Sequence, residues 1–361
     1  MNILSAILER SREVDERFAR MENAQLGDVR IRYRVPENHP RRSRRKFYDL
    51  TTARFEDCRL DDHRRILLAS AVKSHGCGGR LAEYAKENSV LVLESVEGTV
   101  KTKDYLDSFC EQLMAERRPE SLVVVGGGLL LNVGAYLAEQ MECELILYPT
   151  TLLSMADGAG GKVRVNAVLF GRAYKHFYKS YYEPDAIMVD PGFLKTLPAK
   201  ERRLGLVEII KHGLFQSRAL LRFVVGAGPQ LLANDLGLLK AALWAADLKR
   251  VCLDLDSEEN ENGSRSILRA GHDFSDRIEE DSLFTIPHGW AVALGILMLL
   301  KSAGREREYC EASEIFGTFR IPRSLSELEG EGRGQVRAPN KAPASPLTPG
   351  LPLPVHSAPG L

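Results

Sequence analysis

The sequence predicts two successive domains, an α/β domain built on a parallel sheet and then an all-α domain. Three observations carry that prediction. Short apolar runs alternate with helical patterns from Arg65 to Tyr148; the run Val123-Val124-Val125 ends in Gly126-Gly127-Gly128; and after Pro191 the pattern turns to amphipathic helices.

Residues 1–48 read as an extension, a polar helix followed by the basic run Arg41-Arg42-Ser43-Arg44-Arg45-Lys46. In a chain without net charge, and with no interleaved aromatics, such a run reads as a solvated surface segment rather than a nucleic-acid patch. The α/β domain is expected over 49–192, with strands at 65–69, 89–94, 122–125 and 144–148 and helices at 79–87, 103–117 and 132–141. Strand and helix repeating at this pitch form crossover units, which make the sheet parallel. The helical domain follows over 193–330, with helices at 199–215, 238–253 and 291–302. From 331 to 361 the chain is rich in Gly, Pro, Ala and Ser, and seven of its 17 prolines fall between Pro339 and Pro359. Such a segment can neither continue a helix nor bury enough apolar surface to offset its ordering entropy, so a disordered tail is expected. The helical pattern stops in mid-domain at about Leu328, which leaves a shifted reading frame or a splice as another origin of the tail.

Composition narrows the function classes. At 361 residues and 44% hydrophobic content the chain can bury at least one large core. Its 49 acidic and 49 basic residues cancel, so no global field favours nucleic acid or an anionic membrane. The six cysteines are dispersed with no Cys-x-x-Cys pair, which fits a reducing compartment and argues against a cysteine-built metal site. A cytoplasmic location is the expectation, because Ile7-Leu8-Glu9-Arg10 is already charged and no stretch reaches the roughly 20 apolar residues of a membrane span.

Three motifs carry chemistry. Glu208, His272 and His288 offer one carboxylate and two imidazoles, which leave an open position on a divalent ion such as Zn²⁺ and so suit a catalytic site. Read singly, each histidine is a core or surface residue. On the helix of Glu208, Lys211 at i+3 and His212 at i+4 share its face. Gly126, Gly127 and Gly128 after a strand let main-chain N–H groups approach a pyrophosphate, although the spelling is not Gly-x-Gly-x-x-Gly and a tight structural turn reads equally well. Pro149-Thr150-Thr151 followed by Asp157-Gly158-Ala159-Gly160-Gly161-Lys162 offers contacts to sugar hydroxyls and phosphate, with an ordinary loop as the bland alternative. Glu94 and Glu97, at the end of an earlier strand, would accept from a ribose 2′-hydroxyl and repel a 2′-phosphate, which favours NAD⁺ over NADP⁺.

Seven motifs then occur in one order: Gly-Gly-Gly-Leu-Leu-Leu-Asn-Val, Pro-Thr-Thr-Leu-Leu-x4-Gly-x-Gly-Gly-Lys-x3-Asn, Tyr-Tyr-Glu-Pro, Phe-Leu-Lys-Thr-Leu-Pro, Gly-Leu-x-Glu-Ile-Ile-Lys, Arg-x2-Leu-x2-Gly-His and His-Gly-x-Ala-Val. Over about 65–302 the chain resembles the dehydroquinate synthase family of sugar-phosphate cyclases. The resemblance implies a Rossmann-like NAD-binding domain followed by an all-α metal-binding domain, with the active site between them. It implies metal ligands at Glu208, His272 and His288 for Zn or Co, and catalytic or substrate-binding roles for Lys162, Lys211, Lys249, Arg265 and Asn132. It implies nucleotide contacts at Gly126, Gly127, Gly128, Thr150, Thr151 and Asp157, a phosphorylated seven-carbon sugar as substrate, and a homodimer. The implied activity is that of a carbon–oxygen lyase: transient oxidation by NAD⁺, phosphate elimination, return of the hydride and an intramolecular aldol closure.

The chain departs from the family pattern at four places. Asn132 stands for an Asp, Arg269 for an Asn and Asp276 for a His, and Met141 replaces an Arg that in the family reaches a neighbouring subunit's phosphate. About four extra residues precede Tyr181, so Lys175 and Lys179 both compete for the place of a family lysine. Arg269, if it points into the cleft, would bind an anion from a new direction and change the preferred substrate; if it faces solvent, the pocket is merely weakened. The resemblance leaves a sedoheptulose 7-phosphate cyclase-type enzyme, a non-catalytic homologue and a glycerol dehydrogenase-like oxidoreductase as alternatives. Deleting residues 335–361 is expected to leave the thermal midpoint of the folded core nearly unchanged, because the tail has no helical or strand period and few apolar anchors; differential scanning calorimetry of the truncated protein checks this.

Overall fold

The computed structural model describes residues 2–35, 47–55, 64–69, 91–93, 106–107, 110–111, 114, 119–158, 160, 162–169 and 172–329. The basic run at 41–46, the helix expected at 79–87, Glu94, Glu97 and the tail at 331–361 lie outside these residues, and the helix expected at 103–117 is described only at scattered positions.

The strands are β1 (Arg30–Arg34), β2 (Phe47–Thr52), β3 (Arg64–Ala69), β4 (Leu91–Leu93), β5 (Ser121–Gly126), β6 (Glu144–Pro149), β7 (Lys162–Leu169), β8 (Arg172–Tyr181) and β9 (Ala186–Val189). Seven of them form one sheet in the order β1-β2-β9-β6-β5-β3-β4, parallel throughout except for β1, which runs antiparallel to β2 at the edge. Every residue of β5, Ser-Leu-Val-Val-Val-Gly, is buried, as a parallel strand covered on both faces requires. In the register of β5 with β6, Gly126 faces Pro149, so both strands end at one level. The helices that follow, α2 (Gly128–Met141) and α3 (Leu152–Asp157), start there, with their N-termini at the crevice beyond the sheet's carboxyl edge. The first helix of the chain, α1, spans Ile3–Arg20.

The helical half comprises α4 (Gly192–Lys195), α5 (Ala199–Phe215), α6 (Arg218–Ala227), α7 (Asp235–Leu255), α8 (Arg265–Leu268), α9 (His272–Asp281), α10 (His288–Ser302), α11 (Glu306–Thr318) and α12 (Leu325–Glu329). The amphipathic stripe expected for α5 is absent: Leu204 to Phe215 is buried without interruption, and α7 is buried over nearly its whole length. These two are central helices covered on all sides, so the polar residues they carry are forced into the interior.

Within the expected N-terminal extension, residues 2–35 instead contribute to the core. Asn2 caps α1, its Oδ1 accepting from the Ser5 N–H at 2.8 Å, and Leu4, Ile7, Ser11, Val14 and Phe18 form a buried stripe at helical spacing. Phe18 stacks on Trp244 of α7, with ring centroids 5.7 Å apart. The Trp244 indole N–H and the Ser217 hydroxyl both donate to Asp15 Oδ1, at 2.9 and 2.5 Å. The stripe escaped the sequence reading because charged residues fill the positions between its members. After α1 the chain crosses to the sheet, where β1 and β2 extend its edge, so the first 35 residues join the two halves. Arg250 of α7 makes the same connection from the other side, donating to the Tyr48 hydroxyl at 2.9 Å and to the Arg34 carbonyl. The hairpin of β7 and β8 was not anticipated either; it packs against α2 and α9.

Replacing Phe18 with Ala should cost about 3–5 kcal/mol in chemical denaturation, the range for a buried aromatic truncated to a cavity. A surface extension would give a change within about 0.5 kcal/mol.

Candidate active site

A cleft of about 470 Å³ lies between the helix N-termini at the sheet edge and the central helices. It is within the range of small-molecule sites. Leu129 and Asn132 of α2, Ser154 and Asp157 of α3, Lys175 and His176 of β8, Lys211 of α5, Lys249 of α7, and His272 and His288 at the starts of α9 and α10 line it.

Glu208 sits on α5 at full burial, and backbone-to-backbone helix crossings bring both imidazoles to it. A Cβ on Gly289 would stand 2.5 Å from the Leu204 carbonyl oxygen, one turn before Glu208, so α10 can start against α5 only with glycine there. Gly271 has φ +78°, and a Cβ on it would stand 2.5 Å from the Ile296 nitrogen; here α9 begins against α10. His288 and His272 are the chain neighbours of these two glycines. His288 Nε2 lies 3.5 Å and His272 Nε2 3.8 Å from Glu208 Oε1, and one ligand atom from each of the three residues falls within 4.8 Å of the others. Glu208 is in ion-pair contact with Lys211 Nζ, which also donates to the Leu268 carbonyl at 2.8 Å. Neither Glu208 oxygen completes a hydrogen bond of good geometry among the described residues. A buried carboxylate with open lone pairs facing two imidazole Nε2 atoms is a donor set that a divalent ion fits.

The charges agree with this. Burial alone would raise the Glu208 carboxyl, but Lys211 above all, with the two imidazoles, holds it well below the ordinary range. Burial and then Lys211 depress His272, which is therefore neutral. Burial also works against protonation of His288, yet Glu279 and Glu208 outweigh it and raise this imidazole to about 9.

The other expected residues divide. Asn132, Lys211, Lys249, Gly128 and Asp157 line the cleft. Asn132 donates to the Gly128 carbonyl at 2.9 Å and accepts from the Arg164 N–H at 3.0 Å, joining α2 to β7. Lys249 pairs with Asp157 at 3.1 Å. A Cβ on Gly128 would meet nothing within 4 Å, which leaves this helix N-terminus open to a close-approaching phosphate. Gly126 and Gly127 stand behind it, as do Thr150, which is buried, and Thr151, whose hydroxyl caps α3 by accepting from the Ser154 N–H at 3.1 Å. Arg265 is outside the cleft, about two-fifths exposed and 3.7 Å from Asp273. The Lys162 side chain lies outside the described residues. Of the two competing lysines, Lys175 lines the cleft and Lys179 is exposed.

Two departures come out differently from expectation. Met141 is fully buried at the end of α2 and lines no part of this chain's own cleft. Arg269 does line the cleft, but it donates to Asp276 at 2.8 Å and Asp273 at 3.1 Å and is bound up with these carboxylates. The sequence reading missed Arg164, His176, Glu259, Glu279 and Phe284. His176 carries a signal visible only in the backbone: its φ of 56° and the register shift between Val165 and Ala167 mark a bulge, which turns His176 as well as Lys175 into the cleft.

Comparison with known proteins agrees with this architecture. The family model of the 3-dehydroquinate synthase N-terminal region matches residues 91–204 and that of the C-terminal region matches 205–327. The 3-dehydroquinate synthase of Sulfolobus acidocaldarius is 33% identical over 223 residues, which are 59% of this chain and 62% of that protein. The chain thus spans less than two thirds of this relative. The 3-dehydroquinate synthase of Pyrobaculum islandicum is 34% identical over 64% of this chain and 67% of its own. Among solved structures, 2-epi-5-epi-valiolone synthase from Streptomyces hygroscopicus subsp. jinggangensis 5008, with NAD⁺ and Zn²⁺ bound, superposes with a TM-score of 0.66 at 22% identity over 78% of this chain and 82% of that one. A 2-deoxy-scyllo-inosose synthase gives a TM-score of 0.65 at 21% identity over 82% and 85% of the two chains. These two likenesses are of fold.

The raised His288 pKa makes stability depend on pH. Its protonated form contributes stability that is complete below the unfolded value of 6.5 and is lost as pH rises through about 9. His272 and His212, with lowered pKa values, are neutral when folded and add stability as their unfolded-state protons are lost through pH 6.5, an opposing contribution that ends within about one unit above that value. The thermal midpoint of the metal-free protein should therefore fall as pH rises from about 7.5 through 9, and His288→Gln should flatten that part of the profile; parallel melts of the two proteins measure the difference.

Proposed function

The chain belongs to the 3-dehydroquinate synthase family, and from that premise we propose that it is an NAD- and divalent-metal-dependent sugar-phosphate cyclase, active as a homodimer on a phosphorylated seven-carbon sugar. The observation that carries the reading is the convergence of Glu208, His272 and His288 on one cleft with the open helix N-terminus at Gly128 and with Lys175, Lys211 and Lys249. In this reading Glu208, His272 and His288 hold the ion, and the main chain at Gly128 receives the nucleotide phosphates. When bound, NAD supplies a reversible hydride acceptor and the ion polarises the sugar oxygens, which acidifies the C–H beside them.

The chain's own residues supply position and charge. Lys211, on the face of α5 that carries Glu208, is held by the Leu268 carbonyl so that its ammonium stays beside the triad. It keeps Glu208 ionised and meets anionic substrate groups. Lys249, fixed by Asp157, faces the same space from α7. Two cations set on different helices restrict a phosphate-bearing sugar to few orientations, which is how such sites lower the entropy cost of an intramolecular closure. The flanking apolar side chains Leu129, Leu131 and Phe284 limit water.

A second reading, a homologue without turnover, is favoured by one observation. Arg269 is closed off by Asp273 and Asp276, so the cleft lacks a free guanidinium at that place. With Met141 in place of the family arginine, and Arg269 paired with carboxylates and so unable to stand in for it, turnover of the dehydroquinate synthase substrate should be low.

Purified protein should contain NAD and one divalent ion per chain, and it should release phosphate from a member of a panel of seven-carbon sugar phosphates without net accumulation of NADH. His288→Ala should bring the metal content well below stoichiometric. Net NADH formation would identify a dehydrogenase instead, and cofactor binding without phosphate release a non-catalytic homologue.

A further inference from the structure

The proposed ligands differ in how firmly the protein holds them. His272 is buried, and its Nδ1 faces the Ala270 carbonyl at 3.4 Å. His288 is 30% exposed and opens α10 directly after the segment 282–287, in which the non-glycine residues Leu283 and Phe284 have φ of 50° and 62°. Strained left-handed backbone before a helix start does not by itself fix an imidazole. What meets His288 is Glu279 of α9: its Oε1 lies 2.7 Å from His288 Nδ1. The same oxygen accepts from Lys175 Nζ at 2.5 Å, and Lys175 donates also to Asp276 Oδ1 at 2.8 Å, whose other oxygen accepts from Arg269. Four charged side chains from β8, α8's end and α9 thus form one chain of ion pairs that ends on the back of His288.

We propose that Glu279 is the positioning residue of the metal-binding triad, orienting His288 through Nδ1, and that Lys175 and Asp276 hold Glu279 in place. The inference rests on the metal reading above and adds to it residues outside the proposed ligand set. A carboxylate on Nδ1 keeps the proton there and leaves the Nε2 lone pair directed at Glu208, 3.5 Å away. It also gives a use to Asp276 and Arg269, the residues that stand where the family resemblance expects a histidine and an asparagine: they brace Lys175 and so the carboxylate behind the ligand. Lys175 reaches across from the hairpin, whose backbone is pinned to the same helix by the Lys175 N–H donating to Glu280 at 2.8 Å. The orientation of His288 is therefore coupled to the seating of β8 on α9.

The test is divalent-ion affinity, measured on the purified full chain with Zn²⁺ alone by competition against a chromophoric chelator, together with the visible spectrum of the Co²⁺-loaded protein and the melt of the metal-free form. Glu279→Ala should weaken Zn²⁺ binding about 10–100-fold and alter the Co²⁺ bands, and Glu279→Gln, which keeps an acceptor for Nδ1–H, should recover most of the affinity. Lys175→Met, which leaves Glu279 present but unbraced, should give an intermediate loss and covers the case in which Glu279→Ala does not fold. Wild-type protein that binds no ion overturns the metal reading and this inference with it. Wild-type protein that binds one ion, with Glu279→Ala or Lys175→Met binding as tightly and with unchanged Co²⁺ bands, overturns this inference alone.

Discussion

The structure is organised around one carboxylate with no exposure to solvent. Glu208 lies in the middle of α5, a helix buried on all sides, and a bare charge there would cost several kcal/mol. The fold answers with Lys211 one turn along the same helix and with two imidazoles delivered by α9 and α10. Removing either class of partner leaves the carboxylate uncompensated, so the packing of three helices and the charge state of the cleft are one problem. The glycines at 271 and 289 solve its geometric part. A side chain at 289 would push α10 off α5, and one at 271 would push α9 off α10, each taking a histidine with it.

The second constraint is how the two halves are joined, since the cleft lies between them. Two connections are built from polar groups carried by apolar elements. On one side α1 lays its stripe on α7, with Asp15 receiving the Trp244 and Ser217 donors; on the other, Arg250 of α7 reaches Tyr48 and the end of β1. Lys249, next to Arg250 in sequence, pairs with Asp157 at the end of α3. The same helix that ties the sheet to the bundle therefore presents a cleft cation, and the angle between the halves fixes where that cation stands.

Much of this was legible in the sequence, and the limits have physical causes. The strands at β3, β5 and β6 announce themselves as short apolar runs between helical patterns, and α5 was placed as a helix although its expected amphipathic stripe is absent. The triad was legible because Glu208, His272 and His288 each sit in a motif specific enough to name. The burial of α1 and the edge strands β1 and β2 were not, because their apolar residues are diluted by charges on the solvent face. The hairpin escaped because half-exposed β-strands rich in Arg, Lys and Tyr resemble a loop. Contacts were less legible still. Nothing in Arg-Ile-Glu-Glu-Asp distinguishes Glu279 from Glu280, and only the turn before α10 places one of them behind His288. Arg269 shows the converse: its type suggested an anion site, and its neighbours Asp273 and Asp276, visible four and seven residues on, had already taken it.

That last case bears on how the cleft meets an anionic ligand. Lys211, Lys249, Lys175 and Arg269 all face it, yet each has a carboxylate in contact: Glu208, Asp157, the pair Asp276 and Glu279, and the pair Asp273 and Asp276. At these four residues the cleft presents donors more than net charge, and of their carboxylate partners only Glu208 belongs to the proposed ligand set. An ion on the triad would engage the Glu208 oxygens and leave the Lys211 ammonium, already held by the Leu268 carbonyl, free of its counterion and facing the cleft. Lys249 and Lys175 have no such release, since Asp157 and Glu279 belong to no ligand set. Under the proposed metal reading the ion and Lys211 are linked through a single carboxylate, so filling the triad would increase the charge that Lys211 can offer an anion.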